Sequence, residues 1–381
     1  PPPPPPPPPP QPTTLELSSA ASDVYKRQFL RQMGAVLGLI AEQGVKVVVN
    51  AGGLNPAGLA ARLEELAGDA GLRIPIAYVD GDNVLDDLPD WQASGHDLAN
   101  MDTGRSLAEI AVEPVTANAY LGAWGIVEGL RRGAQIVVCG RVTDASLVVG
   151  PAAWAHGWDR TDWDQLAGAV AAGHILECGA QATGGNYSFF QEVPGLEHPG
   201  FPIAEVAADG SFVVTKHPGT GGLVSVGTVT AQLLYEIGEP DYANPDVISR
   251  FDTARLDQVG PDRVQVAGVL GRPAPPTTKL AINYLGGYRN SMTLVLTGLD
   301  IAAKAKAAEE ALVARLDGVG KFESFEVRLN RTDRPYPETN EAAGASLTIT
   351  VKDRDPDKVG RSFSNAVTEL ALASFPGLYA T

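Results

Sequence analysis

Short β-branched runs that alternate with helical segments limit the possible folds of this chain more than any other feature of its sequence. Val45–Asn50 (VKVVVN) and Ala134–Cys139 (AQIVVC) are largely apolar at successive positions, which is typical of strands buried on both faces. Arg73–Asp80 (RIPIAYVD) predicts a third strand. Strands of this kind occur in parallel sheets covered by helices, so the pattern predicts an α/β fold.

The intervening segments have the features of helices. An Asn-Pro pair at 55–56 supplies an N-cap and a first-turn proline, which predicts a helix that ends near residue 67. Helices are also predicted over 115–132 and 161–178. Residues 29–272 are therefore expected to form an α/β domain in which helices flank a mostly parallel sheet.

A second pattern occupies residues 273–381. A strand, a helix, two strands and another helix follow one another there, over 279–297, 300–318, 322–330, 346–352 and 355–374. This β-α-β-β-α order predicts a smaller ferredoxin-like α+β domain without its last strand. The last strand is expected to have been lost by truncation.

Residues 1–28 differ from the remainder of the chain. Pro1–Pro10 is a homopolymer, and Ser18–Gln28 (SSAASDVYKRQ) is what a transposase sequencing adapter spells when translated in frame. The segment is therefore expected to be an artefactual, disordered leader, and the native N-terminal part of the first domain is expected to be missing.

Charge and cysteine content exclude several classes of function. The formal net charge is -16, which argues against a nucleic-acid or anionic-membrane partner. No apolar run reaches the ~18 residues of a membrane span. The chain has 2 cysteines, too few for a disulfide scaffold, so a reducing, cytoplasmic location is expected.

The loop after the first strand is a candidate ligand site. In open α/β sheets, ligands bind beyond the carboxyl ends of the strands. Asn50, Gly52, Gly53 and Asn55 lie in this loop (NAGGLN), where glycines let the backbone approach a ligand and free N–H groups suit an anion. A plain β-α turn explains the same residues equally well.

The loop after 134–139 is a second candidate. In the segment CGRVTD, Arg141 and Thr143 are predicted to bind ligand, and Arg141 suits a carboxylate or phosphate. Asp144 is a candidate catalytic base, although a helix cap also explains an aspartate there. Cys139, inside an apolar run, is expected to be a buried thiol.

Two further residues have the spacing of an acid–base pair. His174 and Glu177 are three positions apart on a predicted helix, so their side chains share one face and are candidate catalytic groups. A capped or solvated helix end is the alternative explanation. Asn186 follows in a polar, glycine-containing loop and is predicted to bind ligand.

A glycine-rich segment, KHPGTGG, follows a predicted hairpin. Its backbone amides and lysine could cradle a phosphate or the pyrophosphate of CoA, although a flexible hairpin loop is the alternative. The segment lacks the spacing of a P-loop. Its predicted ligand-binding residues are Lys216, Gly219, Thr220, Gly221 and Gly222.

No cofactor is evident from the sequence. Acidic residues in the segment Asp80–Asn83 (DGDN) could hold a divalent metal through water, although a surface Asp-Gly turn explains them more simply. No paired cysteine motif offers a zinc site, so no metal ligand is assigned.

Several long stretches, taken in order, resemble the acyclic terpene utilisation AtuA family. They are VVVNAGGLNPAGLA (47–60), GAQIVVCGRVTDASLVVGPAAW (133–154), AGHILECGAQATGGNYS (172–188), FPIAEVAADGSFVVTKHPGTGGLVSVGTVTAQLLYEI (201–237) and LDQVGPDRVQVAG (256–268). The resemblance covers nearly all of residues 29–381. It implies an α/β region joined to a ferredoxin-like domain, and a place among enzymes that degrade citronellol- and geraniol-type compounds as CoA thioesters.

Two functions are consistent with these observations. The first is a catabolic enzyme of branched acyl-CoA degradation, a hydro-lyase or carbon–carbon lyase, which would need an acid–base pair and a group that polarises a carbonyl. The second is a non-catalytic ligand-binding or assembly subunit that works with a partner protein. A small-molecule ligand such as an acyl-CoA, and a second copy of the chain or a small partner subunit, are the expected partners.

Overall fold

Helices and strands alternate along the chain in a computed structural model that describes residues 14–339 and 341–380. The helices are α1 (Thr14–Gln43), α2 (Pro56–Asp69), α3 (Leu88–Ala93), α4 (Leu107–Ile110), α5 (Trp124–Arg131), α6 (Ser146–His156), α7 (Trp163–Leu176), α8 (Val226–Leu233), α9 (Ile301–Leu316) and α10 (Phe363–Leu372). The first eight strands are β1 (Val47–Val49), β2 (Ile76–Val79), β3 (Pro114–Ala119), β4 (Ile136–Cys139), β5 (Pro202–Val206), β6 (Phe212–Lys216), β7 (Asp241–Ala243) and β8 (Val247–Arg250). The others are β9 (Arg255–Gly260), β10 (Arg263–Ala267), β11 (Leu270–Pro273), β12 (Leu280–Tyr284), β13 (Tyr288–Thr297), β14 (Ser324–Arg331), β15 (Gly344–Asp353) and β16 (Leu378–Ala380).

A three-stranded parallel sheet begins the first unit, with strand order β1-β4-β2. Successive residues of β4 face opposite sides, as in any strand. Ile136 and Val138 pack against α1 and α2, and Val137 and Cys139 pack against α5 and α6. This helix–sheet–helix arrangement confirms the α/β prediction for this part of the chain and sets the carboxyl ends of the strands along one edge.

Helix α7 is the centre of the largest hydrophobic core. Every residue from Leu166 to Ile175 is buried, because antiparallel sheets and other helices surround the helix. Its alanines and glycines let neighbours approach closely: a Cβ on Gly168 would lie 2.0 Å from the carbonyl oxygen of Gly210. A helix that is apolar all round belongs in the interior of a protein.

The prediction of a mostly parallel sheet is wrong outside the sheet β1-β4-β2. The sheets β5-β6-β10-β9 and β11-β8-β7 and the pair β12-β3 are antiparallel. Hairpins such as the one between β5 and β6 join antiparallel strands without a crossover helix. The first unit is therefore a mixed α/β structure.

The helix predicted over 115–132 is partly wrong. The structure has strand β3 over Pro114–Ala119, and only Trp124–Arg131 is helical, as α5. Val115 and Thr116 are β-branched and favour a strand. The partner strand β12 lies far along the sequence, so the pairing was not visible in the local pattern.

The second unit has its own core and the strand order β14-β15-β13-β16, with every neighbouring pair antiparallel. Along the chain its elements run β-α-β-β-α-β, with α9 and α10 supplying the two helices. The expected loss of the last strand is wrong: Leu378–Ala380 forms β16 and pairs with β13. The chain divides into its two units between Tyr284 and Leu285, because β12 pairs with β3 of the first unit.

The segment predicted to be a leader overlaps the first helix. Helix α1 begins at Thr14, and residues 1–13 lie outside the described part of the chain. Farther along α1, Met33 and Leu37 are buried in the core shared with α2. None of the described helices is both long enough and apolar enough to cross a membrane.

Candidate functional site

The carboxyl ends of β1 and β4 bring two predicted site residues together. These strands are parallel and adjacent, so the loops that follow them meet at one edge of the sheet. The side-chain amide of Asn50, just after β1, donates a hydrogen bond of 2.7 Å to Oδ1 of Asp144. The Asp144 carboxylate therefore accepts a hydrogen bond from an uncharged amide group, which also stabilises its ionised form.

Close packing of α7 places the other two predicted catalytic residues beside Asp144. A Cβ on Gly173 would lie 2.6 Å from the Cα of Ala145, so only glycine allows this contact between backbones. Ala145 follows Asp144, and Gly173 precedes His174 and is four residues from Glu177. The contact brings the end of α7 to the loop that carries Asp144.

His174 is buried and packs against two aromatic rings. Its side chain is 1% exposed, and the ring centroids of Tyr242 and Phe251 lie 5.1 Å and 5.4 Å away. Nδ1 of His174 is 3.2 Å from Oε1 of Glu177, a distance that suits an ion pair if the ring is protonated, but the orientation is not that of a hydrogen bond. Neither ring nitrogen has a hydrogen-bond partner among the described residues.

Burial and a neighbouring carboxylate both act on Asp144. Partial removal from water raises the pKa of its carboxyl above the usual 3.8, and the charge of Glu177 raises this pKa further. The hydrogen bond from Asn50 and the charge of Arg141 oppose the increase. Asp144 still reaches solvent, so the protein environment perturbs it while a ligand can approach it.

The charges of Glu177 and Asp144 also affect the pKa of Tyr242. Burial raises the pKa of its phenol to about 12, with Glu177 and Asp144 as the next causes. The phenol therefore stays protonated and is a hydrogen-bond donor near neutral pH. Asp144, Glu177 and Tyr242 thus belong to one electrostatic cluster, although they lie on a loop, a helix end and a strand.

Besides Tyr242, three residues of this cluster were not predicted from the sequence: Cys178, Tyr235 and Glu236. The pKa of the Cys178 thiol is raised by burial and by the charge of Glu177, so the thiol is held protonated. A hydrogen bond to Glu236 is the main cause that raises the pKa of Tyr235 to about 12, and Tyr235 also hydrogen-bonds Cys178. No spacing in the sequence connects Tyr235 and Glu236 with Asp144 or Glu177.

Glu236 also has an unusual backbone. Its φ is 55°, in the left-handed region that residues other than glycine rarely adopt. Glu236 follows α8 and its charge raises the pKa of Asp144, Cys178 and Tyr242. Strained backbone of this kind persists where the surrounding structure holds it, often at functional sites.

Arg141 lies at the edge of the cluster. Its backbone N–H donates to Oδ2 of Asp82 (3.2 Å), and its guanidinium donates to the hydroxyl of Tyr120 and lies 4.8 Å from the centre of that ring. The charge of Arg141 lowers the pKa of Asp144, so the two side chains lie within electrostatic reach. The Thr143 hydroxyl forms a hydrogen bond with a neighbour in the sequence, since it lies 2.7 Å from the hydroxyl of Ser146.

In the acidic segment predicted as a candidate metal site, the side chain of Asp82 accepts hydrogen bonds from other protein groups. Asp82 is 4% exposed and accepts 2.9 Å and 3.2 Å hydrogen bonds from Asn118 and the Arg141 backbone. Among the residues that the structure describes, no three His, Cys, Asp or Glu side chains form a group that could hold a metal ion.

The remaining residues of the first loop support its turn and the following helix. A Cβ on Gly52 would lie 2.4 Å from the carbonyl oxygen of Cys139, and Gly53 has a φ of 55°. The side chain of Asn55 accepts a 2.8 Å hydrogen bond from Gly58 N–H and caps α2. The structure brings Asn50, but not the Asn55 side chain, to Asp144.

The glycine-rich segment that begins at Lys216 contacts other protein groups instead of the cluster. The Lys216 ammonium is buried, 3.1 Å from Asp262 and 3.0 Å from the Thr220 carbonyl oxygen. A Cβ on Gly221 would lie 2.1 Å from the Gly195 carbonyl oxygen, and Gly222 has a φ of 87°.

The glycine-rich segment that begins at Lys216 is also separated in sequence from the residues that surround Asp144. Gly219 has open space around its Cα, and the Thr220 hydroxyl donates to the His217 carbonyl oxygen (2.7 Å). Helix α8, roughly 12 Å long at 1.5 Å per residue, lies between this loop and Glu236. Asn186 points to Gln232, with 3.4 Å between the two side chains.

The arrangement suits proton transfer. Two carboxyl groups in electrostatic contact cannot both be ionised as easily as either alone, so one tends to hold a proton while the other accepts one. Asp144 is a carboxyl of this kind, because the charge of Glu177 helps to raise its pKa, and the buried His174 packs against Glu177. The solvent-accessible Asp144 and the guanidinium of Arg141 complete a site for acid–base chemistry on a polar group.

Comparison with known proteins identifies a family. A family profile described as "Acyclic terpene utilisation family protein AtuA" matches residues 13–381. No curated protein and no solved structure matches the chain. The matched range includes every residue of the candidate site.

Proposed function

The chain belongs to the acyclic terpene utilisation family AtuA, and we propose that within this role it is a cytoplasmic lyase that acts on a branched acyl-CoA thioester. Membership confirms the resemblance that the sequence stretches carry, and it connects the chain with acyclic terpene utilisation. The reaction, the thioester and the location are the proposal.

One observation carries the proposal: the pKa of Asp144 is raised by partial burial and by the charge of Glu177. A carboxyl with a raised pKa is suited to donate a proton, and a nearby carboxylate to accept one. His174 acts as a positioning residue, because it packs against two aromatic rings and contacts Glu177.

In the dehydration direction, Glu177 removes the proton from the carbon next to the thioester carbonyl. The electron pair of that C–H bond forms a C=C bond, the C–O bond at the next carbon breaks, and the proton of Asp144 joins the departing hydroxyl to give water. Carbon–carbon cleavage uses the same pair, with the base acting on a hydroxyl and the acid on the carbanion.

The test uses a panel of branched and unsaturated acyl-CoA thioesters with products followed by mass spectrometry. Gain or loss of one water identifies a hydro-lyase, and two fragments identify a carbon–carbon lyase. Asp144→Asn and Glu177→Gln should each lower kcat by about 10²-fold or more. Glu64→Gln, on the exposed side of α2, is the matched control and should retain activity. A folded chain that leaves every thioester unchanged contradicts the proposal.

One observation favours the alternative of a binding or assembly subunit. In the second unit, α9 and α10 contribute to a core on one face of the sheet, whereas the other face presents hydroxyl pairs such as Thr293 with Thr348, 3.0 Å apart. Open sheet faces and edges are common contact surfaces for partner chains. Turnover that requires a second protein, with none by the chain alone, would favour this alternative.

A further inference from the structure

Two cationic side chains converge on Tyr120 next to the acid–base cluster. The Arg141 guanidinium carbon lies 4.8 Å from the centre of the Tyr120 ring, and the Lys279 ammonium lies 5.6 Å from it. Backbone contacts hold this arrangement, since Tyr120 N–H donates to the Lys279 carbonyl oxygen at 2.9 Å. The sequence did not predict this pair, because Lys279 lies in the range 273–381 that was assigned to the second domain.

Among the described residues, neither cation lies within ion-pair distance of a carboxylate. Within the described residues, Arg141 and Lys279 form no ion pair, whereas Lys216 lies 3.1 Å from Asp262 and Arg250 lies 3.3 Å from Asp241. The chain has 45 acidic residues, so acidic partners are abundant. Two cations against one ring repel each other, and an anion bound between them would remove this repulsion.

A groove begins at Lys279. It has a volume of about 340 Å³, which is within the usual range for small-molecule sites. A turn that contains Asn100 and Asp102 borders it, and Asn100 Oδ1 accepts a 3.1 Å hydrogen bond from Asp102 N–H. Its apolar lining consists of Leu98, Met101, Leu107, Ile110, Leu280 and Ile282.

We propose that Arg141, Lys279 and Tyr120 bind the carboxylate of an aliphatic acid and that the groove beside Lys279 receives its hydrocarbon chain. Met101 is 80% exposed, and its flexible thioether can adapt to a branched chain. The charge of Arg141 reaches Asp144, so the carboxylate end of the ligand lies next to the proton-transfer pair. This assignment rests on the proposed function and narrows its substrate class to a thioester whose acyl chain carries a free carboxylate, since a thioester carbonyl itself has no negative charge.

Binding of octanoate to the full chain, measured by calorimetry, tests the assignment without turnover. Octan-1-ol has a similar chain without the charge, and inorganic pyrophosphate has the charge without the chain. Octanoate should bind at least tenfold more tightly than either probe. Pyrophosphate binding as tight as octanoate would assign the cations to the phosphates of CoA and overturn the assignment.

Substitutions then locate the binding. Lys279→Ala should weaken octanoate binding by about tenfold, and Lys279→Arg should retain most of it. Lys306→Ala, an exposed lysine of α9 that lies 3.8 Å from Glu310, is the control and should change nothing. Unchanged octanoate affinity in folded Lys279→Ala and Lys279→Gln would overturn the assignment.

The two proposals can fail separately. If no thioester is converted but octanoate binds and depends on Lys279, the lyase proposal is wrong and the binding subsite stands. If thioesters are converted and Asp144→Asn abolishes conversion, while Lys279→Ala changes neither octanoate binding nor KM, the subsite alone is wrong.

Discussion

At the scale of single residues, Asp144 shows how the environment sets the chemistry of an ordinary side chain. An aspartate after a strand is often only a helix cap. Here its carboxyl accepts a hydrogen bond from Asn50 and lies in the field of Glu177, while its pKa is raised mainly by burial. Burial and the charge of Glu177, which make Asp144 useful as an acid, also make its ionised form unfavourable in the folded state.

Replacing Asp144 should therefore stabilise the fold near neutral pH. Because the folded-state pKa lies above the usual 3.8, ionisation weakens folding as pH rises through the folded-state pKa, and this cost is absent below 3.8. Asp144→Asn removes the cost and keeps an oxygen that accepts from Asn50. We expect a higher Tm than wild type at pH 7, and a gain that shrinks as pH falls toward 3.8.

Asp209 provides a control of opposite sign. Hydrogen bonds from Ser211 lower the pKa of Asp209, so its ionised form stabilises the fold at pH 7. Asp209→Asn should lower the Tm at that pH. Thermal unfolding of both variants between pH 4 and pH 8 measures the two effects, and a decrease in Tm for Asp144→Asn would contradict the assigned environment.

At the scale of elements, the packing of α7 decides where its polar end lies. The helix is buried along its length, and the absence of side chains at Gly168 and Gly173 allows backbone contacts with Gly210 and Ala145. The second of these contacts places the turn of His174 beside the loop of Asp144. The helix therefore acts as a rigid support for part of the site.

Gly173→Ala should disturb this support. The added Cβ would lie 2.6 Å from Cα of Ala145 and 2.8 Å from its carbonyl oxygen, atoms of the backbone that cannot rotate away. We expect a loss of roughly 1–3 kcal/mol in the free energy of unfolding, measured in urea. Any lyase activity should fall as well, because Asp144 and Glu177 would move apart.

Gly38→Ala is the matched control for this substitution. Gly38 also lies in a helix, α1, but its Cβ would meet nothing within 4 Å. Alanine is favoured over glycine in helices by roughly 0.5–1 kcal/mol, so this variant should be neutral or more stable. Equal stability of the two variants would mean that Gly173 is not closely packed.

At the scale of the whole molecule, two units have separate hydrophobic cores. The core of the first unit is centred on α7, and that of the second lies between one sheet face and the helices α9 and α10. The division falls between Tyr284 and Leu285, after a strand that pairs with β3. A unit with its own core and complete strand pairing meets the usual requirements of an independent domain.

We therefore expect residues 285–381 to fold alone. The isolated fragment should unfold cooperatively in urea, with coincident transitions by circular dichroism and fluorescence. A fragment of 273–381 includes β12 without its partner β3, so the added residues should stay unprotected in hydrogen exchange. Non-cooperative unfolding of 285–381 would contradict an independent second core.

Much of the local structure and part of the site could be read from the sequence. Strands β1, β2 and β4 and helix α2 were predicted from β-branched runs and from the Asn-Pro cap, because these signals are local. The structure also brings Asn50, Arg141, Asp144, His174 and Glu177 together, as strand-end loops and helix periodicity suggested. Asn50, Arg141 and Asp144 are close because parallel strands end at one edge of a sheet, whereas the contact of Gly173 with Ala145 brings His174 and Glu177 to them.

By itself, the sequence determined that β1, β2 and β4 are extended and that α2 is helical, and which side chains follow those strands, since both depend on neighbours a few positions apart. Only the tertiary structure decided that β3 pairs with β12, that Lys216 pairs with Asp262, and that Lys279 joins Arg141 at Tyr120. The tertiary structure also places Glu236 where its charge raises the pKa of Asp144. Charges and strand edges act through space, so their partners depend on the packing of segments that are distant in the chain.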